Sequence, residues 1–218
     1  MRRHSLVLVL GLAAAGCGGD GGSNTPTGSS SSSANRAPVT PTIGLTPAGV
    51  ALANVTRVSL NATTTDPDGD ALGYVWTWGD GTGNGSGALA EHIFPAGTFQ
   101  VAVTINDGKG GTATTTTTVT SRTIAGSWTD VDPRYGVTFS QTLGACGGTV
   151  YAGGGWGPVG AIESCTLSHP RNIAFFRRTF YPGVFAQCSY TGTLDDTGTR
   201  MTVRCSTETS FSLRRDNP

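Results

Sequence analysis

Tyr74-Val-Trp-Thr-Trp-Gly-Asp-Gly-Thr82 is the stretch on which the fold turns. Tyr74, Trp76 and Trp78 recur at every second position, so an extended chain places three aromatic rings on one face. Aromatic side chains at that period normally supply the inner face of a β-sandwich, which favours core for most of the trio over a sugar-stacking platform. The run stops at Gly79-Asp-Gly-Thr-Gly83, a dense turn signal. Working outward, alternation predicts further strands over residues 55–62, 72–78, 98–105 and 112–120, with turn residues between them at the spacing of a sandwich. This first unit runs over residues 35–121.

A second unit, residues 123–218, keeps the rhythm of strand and turn with a different aromatic plan and four cysteines. Gly126-Ser-Trp128 opens it and Ser210-Phe-Ser-Leu-Arg-Arg215 closes it. Strand candidates between them lie near 136–143, 147–152, 160–167, 171–178, 184–192 and 199–206. So many sequential strands in so short a chain predict an up-and-down meander, open or closed into a small antiparallel β-barrel. The expected fold class is therefore all-β: an immunoglobulin-like sandwich followed by a small barrel. The 33 glycines among 218 residues and the absence of long amphipathic periods agree with it. Charge is balanced, 14 basic against 14 acidic residues, without the basic footprint of a nucleic-acid binder, so no nucleic-acid partner is expected.

Ahead of both units, Arg2-Arg-His4 and Leu6-Val-Leu-Val-Leu-Gly-Leu12 form a basic region and an apolar core too short to span a bilayer, which reads as a secretory signal over residues 1–16. Its tail, Ala13-Ala-Ala-Gly-Cys17, resembles the lipobox of bacterial lipoproteins. That resemblance implies diacylation of Cys17 and a lipid-anchored chain in the bacterial cell envelope, on the outer membrane or cell surface. It departs from the family pattern at Ala14, where leucine is preferred, and the alternative is an ordinary signal peptide with Cys17 incidental. Residues 17–34 are rich in Gly and Ser and lack an apolar anchor, so they read as a flexible tether with a reach of about 20–25 Å.

Asp66-Pro-Asp-Gly-Asp70, Tyr74 to Thr82, Glu91-His-Ile-Phe94, Ala96-Gly-Thr-Phe-Gln-Val101 and Asn106-Asp-Gly-Lys-Gly110, in that order and spacing, resemble the PKD (polycystic kidney disease repeat) domain. Thr77, Trp78 and Phe94 replace the family's usual Asp, Phe and Tyr. The resemblance implies an extracellular immunoglobulin-like sandwich used for protein or carbohydrate contacts. Some bacterial members hold a structural calcium, and the matching positions are Asn35, Asp66, Asp68 and Asp107. A hard cation wants several oxygens at short range, which a turn of alternating acids can supply. The other reading is a solvated turn whose Asp side chains cap backbone amides. His92 reads as structural, its imidazole bonded to a neighbouring loop.

Cys146, Cys165, Cys188 and Cys205 are an even set in an exported chain, which favours two disulfides; the spacing lacks a Cys-x-x-Cys pair, which argues against zinc. Folding residues 184–206 about Asp195-Asp-Thr-Gly198 sets Leu194 opposite Thr199 and Cys188 opposite Cys205. The same test about Gly153-Gly-Gly-Trp156 sets Tyr151 opposite Gly160 and Cys146 opposite Cys165. The ends of this unit are similar to lipocalin-like barrels, in which a Gly-x-Trp packs under an arginine of the last strand; here Trp128 would meet Arg214 or Arg215.

With only His92 and His169 beyond the signal, and no Ser-His-Asp or Cys-His arrangement, the chain reads as non-enzymatic. The leading expectation is an exported lipoprotein displaying a binding or spacer module to an extracellular protein or carbohydrate. A small apolar-ligand carrier or inhibitor built on the barrel is the alternative, although a barrel of this size filled with its own side chains is the safer expectation.

Overall fold

The computed structural model describes residues 34–130, 135–152, 158–179, 187–206 and 210–216. Cys17, the signal 1–16 and the tether up to residue 33 lie outside the described residues. Every regular element among the described residues is a β-strand.

Eight strands build the sandwich: β1 (Thr42–Thr46), β2 (Ala51–Leu52), β3 (Arg57–Thr63), β4 (Gly73–Thr77), β5 (Gly85–Ser86), β6 (Leu89–Ile93), β7 (Gly97–Asn106) and β8 (Thr112–Arg122). One sheet has the order β1-β3-β6; the other runs β2-β8-β7-β4-β5, antiparallel except for the parallel pair β2–β8. Alternation decides the faces. On β3, Val58, Leu60 and Ala62 point inward while Arg57, Ser59 and Asn61 stay nearer solvent. Across the core they meet Trp76 and its β7 partner Val103, both with no exposed surface, together with Val101, Ile105 and Val119. Trp76 and Trp78 stack at 6.1 Å, and the Trp76 indole donates to the Gly87 carbonyl at 2.8 Å, which satisfies its one polar atom. Both tryptophans are core and Tyr74 packs against them half-buried, so this face offers no sugar platform. Gly79 closes the turn after the tryptophans in the left-handed region (φ 78°), and a Cβ there would stand 2.5 Å from the Gln100 carbonyl oxygen.

The barrel is closed by β9 (Gly126–Asp130), β10 (Tyr135–Thr142), β11 (Ala145–Ala152), β12 (Pro158–Ser168), β13 (Asn172–Thr179), β14 (Gln187–Leu194), β15 (Arg200–Cys205) and β16 (Phe211–Arg215). Each strand pairs with its sequence neighbour, and β16 returns to β9 with Arg214 opposite Thr129. Trp128, Phe139, Val150, Ile173, Phe175, Tyr190, Met201, Val203 and Leu213 fill the interior as one buried cluster. Gly192 lets β14 and β15 close tightly, since a Cβ there would fall 2.5 Å from Val203 Cγ1.

Disulfides join Cys146 to Cys165 and Cys188 to Cys205. The first bridges directly opposed residues of β11 and β12, as the hairpin symmetry implies. The rest of that hairpin departs from it: Gly160 faces Val150, and Tyr151 faces Pro158, because register shifts interrupt the ladder between Cys146 and Gly148 and beyond Val150. A further shift between Glu163 and Thr166, with Ser164 at φ 50°, turns the strand over. Ile162 therefore points inward before the bulge, and Cys165 and Leu167 pack on the core after it. In the β14–β15 hairpin Leu194 faces Met201, not Thr199, and Cys205 faces Tyr190. The turn is longer than the symmetric fold assumes, because the Asp195 N–H donates to the Arg200 carbonyl at 2.9 Å while the Asp195 carboxylate collects the N–H groups of Thr199 and Arg200 at 3.0 and 3.1 Å. Cys188 consequently reaches Cys205 diagonally, with a Cα separation of 5.9 Å.

Asp195 also carries a pH signature. Burial pulls its carboxyl upward, but the Arg200 N–H, the Thr197 hydroxyl and the Thr199 N–H outweigh it and hold the group below the usual carboxylate range. A depressed folded value stabilises above the unfolded value of about 4 and is lost as pH falls through the folded one. Asp195→Ala is expected to cost about 1–2 kcal/mol at pH 7, with the gap to wild type closing below about pH 4 in chemical denaturation. A pH-independent gap would show that the carboxylate charge is not what stabilises the turn.

Sandwich and barrel pack as parts of one compact unit. The contact is residues 48–56 of the sandwich against the barrel turns around 142–145, 168–172 and 194–200. Val50 N–H donates to the Asp196 carbonyl at 2.7 Å, Gln141 Nε2 to the Ala53 carbonyl at 2.9 Å, and the Thr56 hydroxyl to the Pro170 carbonyl. Arg171, paired with Asp196, donates to the Ala48 carbonyl at 3.2 Å and to that of Val50 at 3.4 Å.

Candidate cation site at the acidic turn

Asp66-Pro-Asp-Gly-Asp70 forms a turn whose shape is set by its first carboxylate. Asp66 Oδ1 accepts the N–H groups of Asp68 at 2.8 Å and Asp70 at 3.1 Å, and Gly69 takes the left-handed conformation (φ 78°) that brings the chain back. A second tight turn lies beside it. Asp107, buried at 4% exposure, uses Oδ1 to accept the N–H groups of Lys109 at 2.8 Å and Gly111 at 2.9 Å, and Oδ2 to accept Asn35 Nδ2 at 2.7 Å. Gly111 is required there, since a Cβ would fall 2.2 Å from Asp107 Oδ2.

Asp66, Asp70 and Asp107 each present an oxygen within 4.8 Å of the other two. Of the expected set, the structure thus joins Asp66 and Asp107, with Asn35 bonded to the latter, but Asp68 stands apart. Its carboxylate accepts Arg36 N–H at 2.7 Å and Nε at 2.9 Å, and this pairing with the guanidinium holds it below the usual carboxylate range. Asp70 takes its place, because Arg36 draws the Asp68 carboxylate away while the Asp70 N–H is held on Asp66 Oδ1. The spacing of three acids at every second residue does not by itself tell Asp70 from Asp68. Lys109 Nζ donates to Asp70 Oδ1 at 2.5 Å. The hydrogen bond from Asn35 holds Asp107 ionised below its ordinary pKa, and Asp70 holds Lys109 above its own.

The test of fit for a hard cation rests on the remaining oxygens. Asp66 Oδ2 and Asp70 Oδ2 are buried and have no hydrogen-bond partner among the described residues, although each belongs to a carboxylate whose other oxygen is bonded. Buried carboxylate oxygens left without a donor are costly, and an oxygen-seeking cation would satisfy both at once. The residues fit calcium by donor chemistry.

His92 has a different setting. Its Nε2 lies 2.7 Å from Asp80 Oδ2, its ring stacks on Trp78 at 4.6 Å and meets Phe94 edge-on, and Asp80 has no exposed side-chain surface. The imidazole thus ties the Gly79–Thr82 turn to β6 and the core, in keeping with a structural role. At the barrel seam Arg215, not Arg214, stands over the Trp128 ring at 4.9 Å; Arg214 alternates outward on β16.

A two-sheet antiparallel sandwich with an acidic turn at its chain-entering pole defines an immunoglobulin-like module. Residues 35–121 match the PKD domain family. The PKD1 domain of Vibrio anguillarum Epp is similar at 30% identity, over 41% of this chain and 98% of that one, with a TM-score of 0.34. The PKD1 domain of the Vibrio cholerae metalloprotease PrtV is similar at 26% identity, over 40% of this chain and 100% of that one, with a TM-score of 0.34. A PKD domain of an M14-like peptidase from a Thermoplasmatales archaeon matches at 25% identity, over 41% and 99%, with a TM-score of 0.35. No curated protein matches the chain. PKD domains and paired disulfides are typical of extracellular or secreted proteins, where thiols stay oxidised.

Proposed function

We propose that the chain is a non-enzymatic exported lipoprotein, anchored by acylated Cys17, that displays its PKD module at the cell envelope for contacts with protein or carbohydrate. The observation that carries this reading is the pairing of a PKD domain with a disulfide-bonded barrel filled by its own side chains. Both parts have cores filled by their own side chains, so the surface is what they offer to a partner. The same packing weighs against the apolar-ligand carrier, because Trp128, Phe175 and Tyr190 occupy the interior that a ligand would need. In this reading Asp66, Asp70 and Asp107, with Asn35 beside them, hold a structural calcium that neutralises the acidic pole and fixes the start of the domain.

Two measurements test it. In a bacterial host, wild type is expected in the membrane fraction and Cys17→Ser in the soluble fraction; equal membrane association of the two would contradict the anchor. The purified soluble variant is expected to be retained on a glycan or extracellular-protein array, and an apolar molecule co-purifying with the barrel instead would favour the carrier.

A further inference from the structure

We propose that Lys109 is a tethered counter-cation of the acidic site, occupying it in the absence of metal and competing with calcium for it; this inference rests on the calcium reading above. Two observations carry it. First, the ammonium donates at 2.5 Å to Asp70, one of the three clustered carboxylates. Second, the Lys109 side chain is 61% exposed whereas that of Asp70 is 12% exposed, so the head group reaches into the site from solvent on a stem that can leave.

The geometry of the Asn106–Gly110 turn makes the competition intramolecular. Asp107 is fixed by the N–H groups of Lys109 and Gly111, so the backbone that positions one carboxylate also positions the lysine that neutralises another. A divalent ion entering beside Asp66 Oδ2 and Asp70 Oδ2 meets the ammonium on the adjacent oxygen of Asp70, and like charges at that range repel. Calcium binding is therefore coupled to release of the lysine head. The cation that protects the empty site also weakens the affinity of the filled one, the reciprocity that two ligands of one site must obey. Arg36 is not a second competitor, because its guanidinium is engaged with Asp68 and the Pro67 carbonyl on the other side of the turn.

The test uses the whole exported chain with Cys17→Ser for solubility, titrated with calcium chloride by isothermal calorimetry, alongside thermal unfolding with chelator and with saturating calcium. Lys109→Met keeps the stem and removes the charge. It is expected to bind calcium roughly tenfold more tightly than the parent, to melt at lower temperature in chelator, and to gain more on adding calcium. Lys109→Arg is expected to stay near the parent. If Lys109→Met binds calcium with the same or lower affinity, the competition is refuted while the calcium site stands. If the parent and Lys109→Met both fail to bind, the calcium reading itself is refuted and this inference with it.

Discussion

Trp128→Ala is expected to destabilise the chain by about 3–5 kcal/mol, enough to unfold most of the barrel near room temperature if its stability is ordinary. The residue has no exposed surface and sits on the first strand, where the last strand must close against it. Its indole N–H donates to the Ile124 carbonyl at 2.9 Å, and Arg215 covers its ring face while donating to the Thr123 carbonyl. Burial, with the Arg122 charge adding to it, pushes the Arg215 pKa down from its ordinary value; the ring and the carbonyl offset that cost. Removing the indole therefore does three things together: it opens a large cavity, strands a buried carbonyl and exposes a guanidinium to an apolar gap. Trp128→Phe separates these effects. It keeps most of the packing and loses the hydrogen bond and the better cation–π face, so about 1–2 kcal/mol is expected. Urea unfolding followed by near-ultraviolet circular dichroism reads both. A loss under 1 kcal/mol for the alanine variant would mean that the seam is held elsewhere.

The seam was legible in Gly126-Ser-Trp128 and the terminal arginines because one large side chain at each end of a meander leaves few ways to close it. Sequence left the choice between Arg214 and Arg215 open, since strand alternation cannot be phased without the register of β16 against β9. The period-two tryptophans of the sandwich were legible for the same reason: large apolar groups report burial directly. Short elements were not. β5 and β2 have two residues each, too few for any period, and β2 exists only because β8 is there to receive it. The disulfide partners were readable while the ladder between Cys188 and Cys205 was not, because a bridge tolerates a diagonal whereas hydrogen-bond register depends on how the Asp195 carboxylate folds its own turn. At the acidic turn the residue types were visible, but which of Asp68 and Asp70 faces inward was decided by Arg36, a long-range partner.

Leu52→Ala is expected to cost about 2–5 kcal/mol and to be felt in the barrel as much as in the sandwich. Adjacent residues of β2 feed two different cores: Ala51 is buried in the sandwich cluster, and Leu52, at 1% exposure, belongs to the cluster that fills the barrel, with Ile124 and Val55 beside it. Alternation along one extended segment thus makes a single short strand part of both interiors. Around it, Thr56 accepts the Leu52 N–H at 2.8 Å and donates to Pro170, while Gln141 accepts from Ile124 N–H at 2.7 Å and donates to Ala53, so the polar groups that ring the plug are satisfied across the contact. A contact of this kind transmits destabilisation, since opening either side leaves the other with an apolar hole and unpaired carbonyls. Hydrogen exchange resolved by peptide is the direct measurement: Leu52→Ala should accelerate exchange in β10 and β15 as well as in β3 and β8. A barrel fragment of residues 123–218, deprived of Leu52 and Val55, should melt well below the same strands in the whole chain. Acceleration confined to residues 35–121, with an unchanged fragment, would show two modules that merely touch. The expected result instead makes the PKD domain the stopper of the barrel, so that a force acting on the sandwich is resisted by both cores together.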